Sequence, residues 1–109
     1  MVAERRVRLS TEAEVDLGQA VGWYEGQRLG LSERFLQSVD EALQRLSVPG
    51  SHGSMVPRAP ERLQVRRLRL QGFPYFVIFR ERGDEVQVLA FAHERRRPSY
   101  WRSGIGRAD

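Results

Sequence analysis

The stretch Val65-Arg66-Arg67-Leu68-Arg69-Leu70-Gln71-Gly72-Phe73-Pro74-Tyr75-Phe76-Val77-Ile78-Phe79-Arg80-Glu81-Arg82-Gly83-Asp84-Glu85-Val86-Gln87-Val88-Leu89-Ala90-Phe91-Ala92-His93 decides the fold. It holds three strand-like runs, Val65 to Leu70, Tyr75 to Glu81 and Glu85 to His93, rich in β-branched and aromatic residues. Gln71-Gly72-Phe73-Pro74 separates the first two and Arg82-Gly83-Asp84 the second two, and connections this short imply an antiparallel meander. The middle run is apolar on both faces, as a central strand would be. In the first run Leu68 and Leu70 share one face and Arg67 and Arg69 the other, while Arg66 falls on the leucine face near the strand's start.

Upstream of the meander the period changes from two to helical. Val7 and Leu9 flank Arg8 in a short alternating segment, read as a first strand. Thr11 and Glu14 then supply a capping-box pattern, with Ser10 a competing cap. Ala13, Leu17, Ala20, Val21 and Tyr24 form one apolar stripe, and Phe35, Val39, Ala42, Leu43 and Leu46 a second. Gly26 and Gly30 bracket the break between them, and Pro49-Gly50 ends the second helix. From Pro49 to Pro60 the composition is that of a loop. The expected fold is α+β, in the order β-α-α-β-β-β. A helical hairpin packs on one face of a small antiparallel sheet, and loop and tail partly cover the other. One domain is expected, with its core over about residues 7–102 and a polar tail at 103–109.

Composition narrows the function. The 109-residue chain carries 18 cations against 14 acids, and every cation is Arg. Arg clamps phosphate and carboxylate in planar, bidentate geometry but holds its proton too tightly to act as a base. With no Cys there is no disulfide, no thiolate zinc site and no thiol chemistry. No carboxylate cluster, phosphate-binding glycine loop or serine-nucleophile motif is present, so neither a metal nor a cofactor is expected. The start of the chain, Met1 to Arg6, lacks the apolar run of a signal peptide, and no segment approaches the roughly 20 apolar residues of a membrane span. The chain reads as cytoplasmic, with no membrane partner.

Two clusters carry the functional question. Arg67 and Arg69 sit side by side on one face, where their mutual repulsion calls for an anion to offset it. His93-Glu94-Arg95-Arg96-Arg97 ends the last strand and leads through Pro98 and Ser99 into Tyr100, Trp101 and Arg102. Cations interleaved with aromatics suit single-stranded nucleic acid, where phosphates pair with Arg and bases stack. The plain alternative is a solvated sheet face and a tail packed on the sheet. His93 is the one plausible general base near the cluster, and His52 looks incidental in its Gly/Ser loop. A nuclease reading would draw on Arg67, Arg69, His93, Arg96 and Tyr100. A binding reading would draw on Arg66, Arg67, Arg69, Arg95, Arg96, Arg97, Tyr100, Trp101 and Arg102.

Five segments together resemble the RelE/ParE superfamily of toxins, also called plasmid-stabilisation proteins. They are Ala20-Val21-Gly22-Trp23-Tyr24-Glu25, Gly30-Leu31-Ser32-Glu33-Arg34-Phe35, Val65-Arg66-Arg67, Phe73-Pro74-Tyr75 and Ala92-His93-Glu94-Arg95-Arg96-Arg97-Pro98-Ser99-Tyr100-Trp101-Arg102. The resemblance runs from about Val7 to Arg102. It implies a toxin held in a hetero-oligomer by a cognate antitoxin encoded beside it. RelE-like members cleave mRNA on the ribosome with cations on the strand matching Val65 to Leu70 and near the end of the last, plus a C-terminal Tyr or His. ParE-like members inhibit DNA gyrase without a working nuclease set. Arg67, Arg69 and Tyr100 match the nuclease positions, but Glu94 stands where another cation would be expected. The Phe73-Pro74-Tyr75 turn and the chain's ending look closer to the ParE side. An endoribonuclease and an inactive, antitoxin-binding module remain the alternatives.

Overall fold

The structure, a computed structural model, describes residues 4–50 and 52–95. The first strand, β1, spans Arg6–Leu9, followed by α1 at Thr11–Glu25 and α2 at Leu31–Ser47. After a two-residue strand β2 (Ser54–Met55) and a single 3-10 turn at Glu61–Leu63 come β3 (Arg66–Arg69), β4 (Tyr75–Arg82) and β5 (Glu85–His93). The five strands form one sheet in the order β1-β5-β4-β3-β2. The meander β3-β4-β5 is antiparallel as read from its short turns, and β2 adds antiparallel to β3. β1 pairs parallel with β5, Val7 opposite Val86 and Leu9 opposite Val88, so the last strand is internal rather than an edge. Among the described residues no helix is long and apolar enough to cross a membrane.

Both helices lie on one face. Phe35, Val39, Ala42 and Leu46 of α2 and Ala13, Ala20 and Tyr24 of α1 pack on Leu68, Leu70, Val77, Phe79, Val86, Val88 and Phe91 of the sheet. A second cluster fills the opposite face, where Val56 and Val65 with Ala59 and Leu63 cover Ile78, Leu89, Ala90, Ala92 and Phe76. The loop that composition alone marked as irregular therefore forms the second wall of the core. Its entry needs Gly53, at φ +65°, because a Cβ there would run into the Arg67 carbonyl.

The ends of the helices follow from local chemistry. Ser10, not Thr11, caps α1: its Oγ accepts the Ala13 N–H at 3.1 Å and donates to the Leu89 carbonyl at 3.1 Å. That second bond ties the cap to β5 and decides between the two hydroxyl residues. α2 stops at Val48, which is extended (φ −85°, ψ 126°) as a residue before proline must be. β1 ends at Leu9, so among the described residues no strand pairs with the edge of β5 beyond Val88. α1 completes it, with Asp16 Oδ2 accepting the Phe91 N–H at 3.1 Å.

One irregularity governs which way the end of β5 faces. Ile78 pairs with Ala90 and Phe79 with Val88, leaving Leu89 as an extra residue. Val86 and Val88 point to the helices, Leu89 and Ala90 both point away, and Phe91 returns to the helix side. The bulge thus shifts the alternation by one for the rest of the strand.

Two stability outcomes follow. Ser10→Ala should cost about 1–2 kcal/mol, and Phe35→Ala about 3–5 kcal/mol from the core it vacates. Both are read as lowered urea midpoints with an unchanged slope.

Candidate functional site

The loop face of β3 and β4 gathers the predicted arginines. Arg67 stands opposite Ile78 and Arg69 opposite Phe76, so both guanidinium groups lie on the face away from the helices. The Arg67 guanidinium carbon lies 4.3 Å from the centre of the Phe76 ring and that of Arg69 5.8 Å, which places a cation–π platform between them. Arg69 also donates to Glu94 Oε2 at 2.6 Å. The anion that adjacent arginines call for is therefore supplied partly from within the chain. The hydrogen bond from Arg69, with smaller help from the neighbouring His93 and Arg95 charges, holds the Glu94 carboxyl below its ordinary range. Glu94 is itself fixed by its backbone N–H, which donates to the Pro74 carbonyl at 2.9 Å.

Two other arginines near this face are committed elsewhere. Arg66 grips the preceding loop, its Nε donating to the His52 carbonyl and its second terminal nitrogen to the Gly53 carbonyl, both at 2.9 Å. Its role is to hold the chain entering β3, which the sequence pattern did not separate from a binding role. Arg80, 8% exposed, donates from Nε to Gln87 Oε1 across the strand pair at 2.8 Å. His52, on the same loop, donates from Nε2 to the Val48 carbonyl at 2.7 Å and so closes the end of α2.

His93 is not with the arginines. It pairs across the sheet with Tyr75 and meets that ring edge-on at 5.2 Å, on the helix side where the bulge directs it. Its Nδ1 accepts the Arg95 N–H at 3.2 Å, which puts the proton of the neutral ring on Nε2. Arg95 itself is exposed just beyond the end of β5. Arg96, Arg97, Tyr100, Trp101 and Arg102 lie outside the described residues.

On the helix side His93 lines a groove of about 250 Å³ with Asp16, Gln19, Ala20 and Trp23 of α1, Tyr75 of β4 and Phe91 of β5. Behind it Tyr24, Phe35, Phe73 and Tyr75 form a continuous aromatic cluster, with ring centres 5.0–6.3 Å apart. Burial, and secondarily the nearby Tyr75, raises Tyr24 above the usual tyrosine range, so its hydroxyl stays protonated and its ring serves packing. Sequence reading missed this groove. The available signal was Asp16, an acid at helical spacing between Ala13 and Ala20 on the buried stripe, where a carboxylate needs a specific partner.

The arrangement offers two surfaces of different chemistry: a cationic, aromatic platform with an internal carboxylate on the loop side, and an aromatic groove with an acidic floor on the helix side. Among the described residues, the histidine at the end of β5, His93, and the cations able to clamp a phosphate, Arg67 and Arg69, stand on opposite faces of the sheet.

Comparison with known proteins agrees with the architecture. No curated protein matches the sequence. A solved structure described as a chromosomal ParDE TA system from P. aeruginosa superposes with a TM-score of 0.68 at 22% identity, over 83% of this chain and 96% of that one. At that identity the likeness concerns the fold. The sequence matches the family described as "ParE toxin of type II toxin-antitoxin system, parDE" over residues 7–98. The chain belongs to the ParE toxin family.

Proposed function

We propose that this chain is a growth-inhibiting toxin that works by binding DNA gyrase rather than by cleaving RNA, and that a cognate antitoxin neutralises it in a hetero-oligomer. The observation that carries the choice between the two mechanisms is the separation of His93 from Arg67 and Arg69 by the thickness of the sheet. Metal-independent cleavage through a ribose 2′-hydroxyl needs a base, an acid and cations converging on one phosphate. His93 faces the α1 groove, and Arg69 already holds a carboxylate. An ion pair at that position weakens phosphate binding while remaining compatible with a protein partner. The gyrase target itself comes from the family likeness.

The Arg67–Phe76 stack favours the second reading, a ribosome-dependent endoribonuclease, because it could seat a base beside a phosphate. One pair of assays separates the two. Purified toxin should block gyrase supercoiling and leave mRNA intact in a translating extract. Full supercoiling at saturating toxin would end the gyrase reading. Cleavage of mRNA that Arg69→Ala or Tyr100→Phe abolishes in a folded protein would install the nuclease.

The Arg69–Glu94 pair makes a further prediction. Glu94→Gln should raise affinity for a single-stranded polyanion and steepen the log–log salt slope by about 0.7, one added phosphate contact. In the parent chain the same gain should appear only as pH falls. The depressed Glu94 stays ionised through neutral pH and releases Arg69 once it protonates, below the ordinary carboxylate range. Glu94→Gln should remove that pH dependence, and a parent and variant with identical titrations would show that the pair does not control the platform.

A further inference from the structure

We propose that the groove between α1 and the end of β5 is the dock for the chain's own C-terminal segment, residues 96–109, with a ring of the Tyr100–Trp101 pair in the groove and arginine side chains along the acidic row of α1. The inference does not depend on which cellular target the toxin has.

Size comes first. At about 250 Å³ the groove is smaller than the roughly 300–1,000 Å³ of small-molecule pockets and matches a side chain better than a ligand. Its walls are aromatic and apolar at Trp23, Tyr75, Phe91 and Ala20, which suits a planar ring against edges and faces of other rings. Trp23 is 62% exposed on this wall, a large apolar surface that the core of the domain does not use.

Position comes second. The chain leaves β5 through His93, which is itself part of the groove wall, and Arg95 follows directly. Residues immediately downstream are therefore tethered beside the groove, at the millimolar effective concentration that a short linker gives. Extended at ~3.3 Å per residue, residues 96–109 could reach about 45 Å. α1 is about 22 Å long at 1.5 Å per residue, so the segment can run its whole length.

Charge comes third. α1 carries Glu12, Glu14, Asp16 and Glu25 and no basic residue. Glu12, Asp16, Gln19 and Trp23 recur at the spacing that aligns residues on one helix face, so acidic charge on α1 leads toward the groove, with Asp16 8% exposed and one of its oxygens held by the Phe91 N–H. The segment beyond Arg95 is the complement, with Arg96, Arg97, Arg102 and Arg107 against the single acid Asp109. Arginine heads on the row and an aromatic ring in the groove use both features at once. Docked there, Tyr100 and Trp101 stand on the opposite side of the sheet from Arg67 and Arg69, and any partner that lays a helix over α1 must displace them.

The test uses the full chain. Because it lacks cysteine and has two tryptophans, a single introduced thiol and the Trp101 indole signal give a clean distance probe. A nitroxide on Gln19→Cys, at the groove wall, should broaden the Trp101 indole N–H resonance beyond detection. A nitroxide on Arg67→Cys, on the loop face, should leave it sharp. Trp101→Phe assigns the signal, and unchanged amide dispersion shows that the labelled chains are folded; Glu12→Cys is a second label site on the same row should Gln19→Cys disturb α1. A Trp101 signal that stays sharp with the α1 labels, or that broadens from Arg67, overturns the proposal. The second of those results would place the segment on the cationic face instead.

Discussion

β4 and β5 bury side chains on both of their faces, and the rest of the molecule follows from that need. Val77, Phe79, Val86, Val88 and Phe91 must be covered on one side and Ile78, Leu89, Ala90 and Ala92 on the other. Both helices lie on the first of these faces, and the second is closed by Val56 and Val65 with Ala59 and Leu63. The cover is narrow. It leaves the ends of β3 and β4 reachable, and there Arg67, Arg69 and Phe76 form the platform. On the helical side the groove lies between α1 and the end of β5, at Trp23 and His93. Both candidate surfaces are thus places where a two-layer cover runs out.

The charge pattern gives these two surfaces different partners. Arg69 spends much of its field on Glu94, and Arg67 rests on an aromatic ring, so the loop face is less open to a phosphate chain than a count of arginines suggests. The helical side is acidic along α1. A basic protein overall, at formal charge +4, therefore presents acidic residues along α1 beside this groove. Electrostatic steering of that kind sets the orientation in which partners approach more than the strength with which they stay.

Much of this was legible in the sequence. The two helices, the three-strand meander and the division of Leu68 and Leu70 from Arg67 and Arg69 all follow from periodicity, because each residue's side is fixed by a neighbour two or four positions away. Three things were not. The parallel docking of β1 on β5 is a long-range pairing with no local mark, and β2, Ser54–Met55, carries no pattern at all. Arg66, on the leucine face, was still grouped with Arg67 and Arg69 as a binding residue, and only its bonds to the loop carbonyls of His52 and Gly53 give it a structural role. The side taken by His93 was unreadable because Val88-Leu89-Ala90-Phe91-Ala92 is apolar throughout, and a strand without polar residues gives no clue to where its alternation slips.

That slip at Leu89 bears on how relatives of this chain are compared. A single residue gained or lost in the strand works as a side selector: everything downstream, His93 and Glu94 included, trades places between the two surfaces. Two homologues could then share a histidine at the same distance from their last strand's end and yet present it to different partners. Aligning such chains by residue type would equate groups that face opposite ways, whereas counting inward from the inserted leucine would tell them apart.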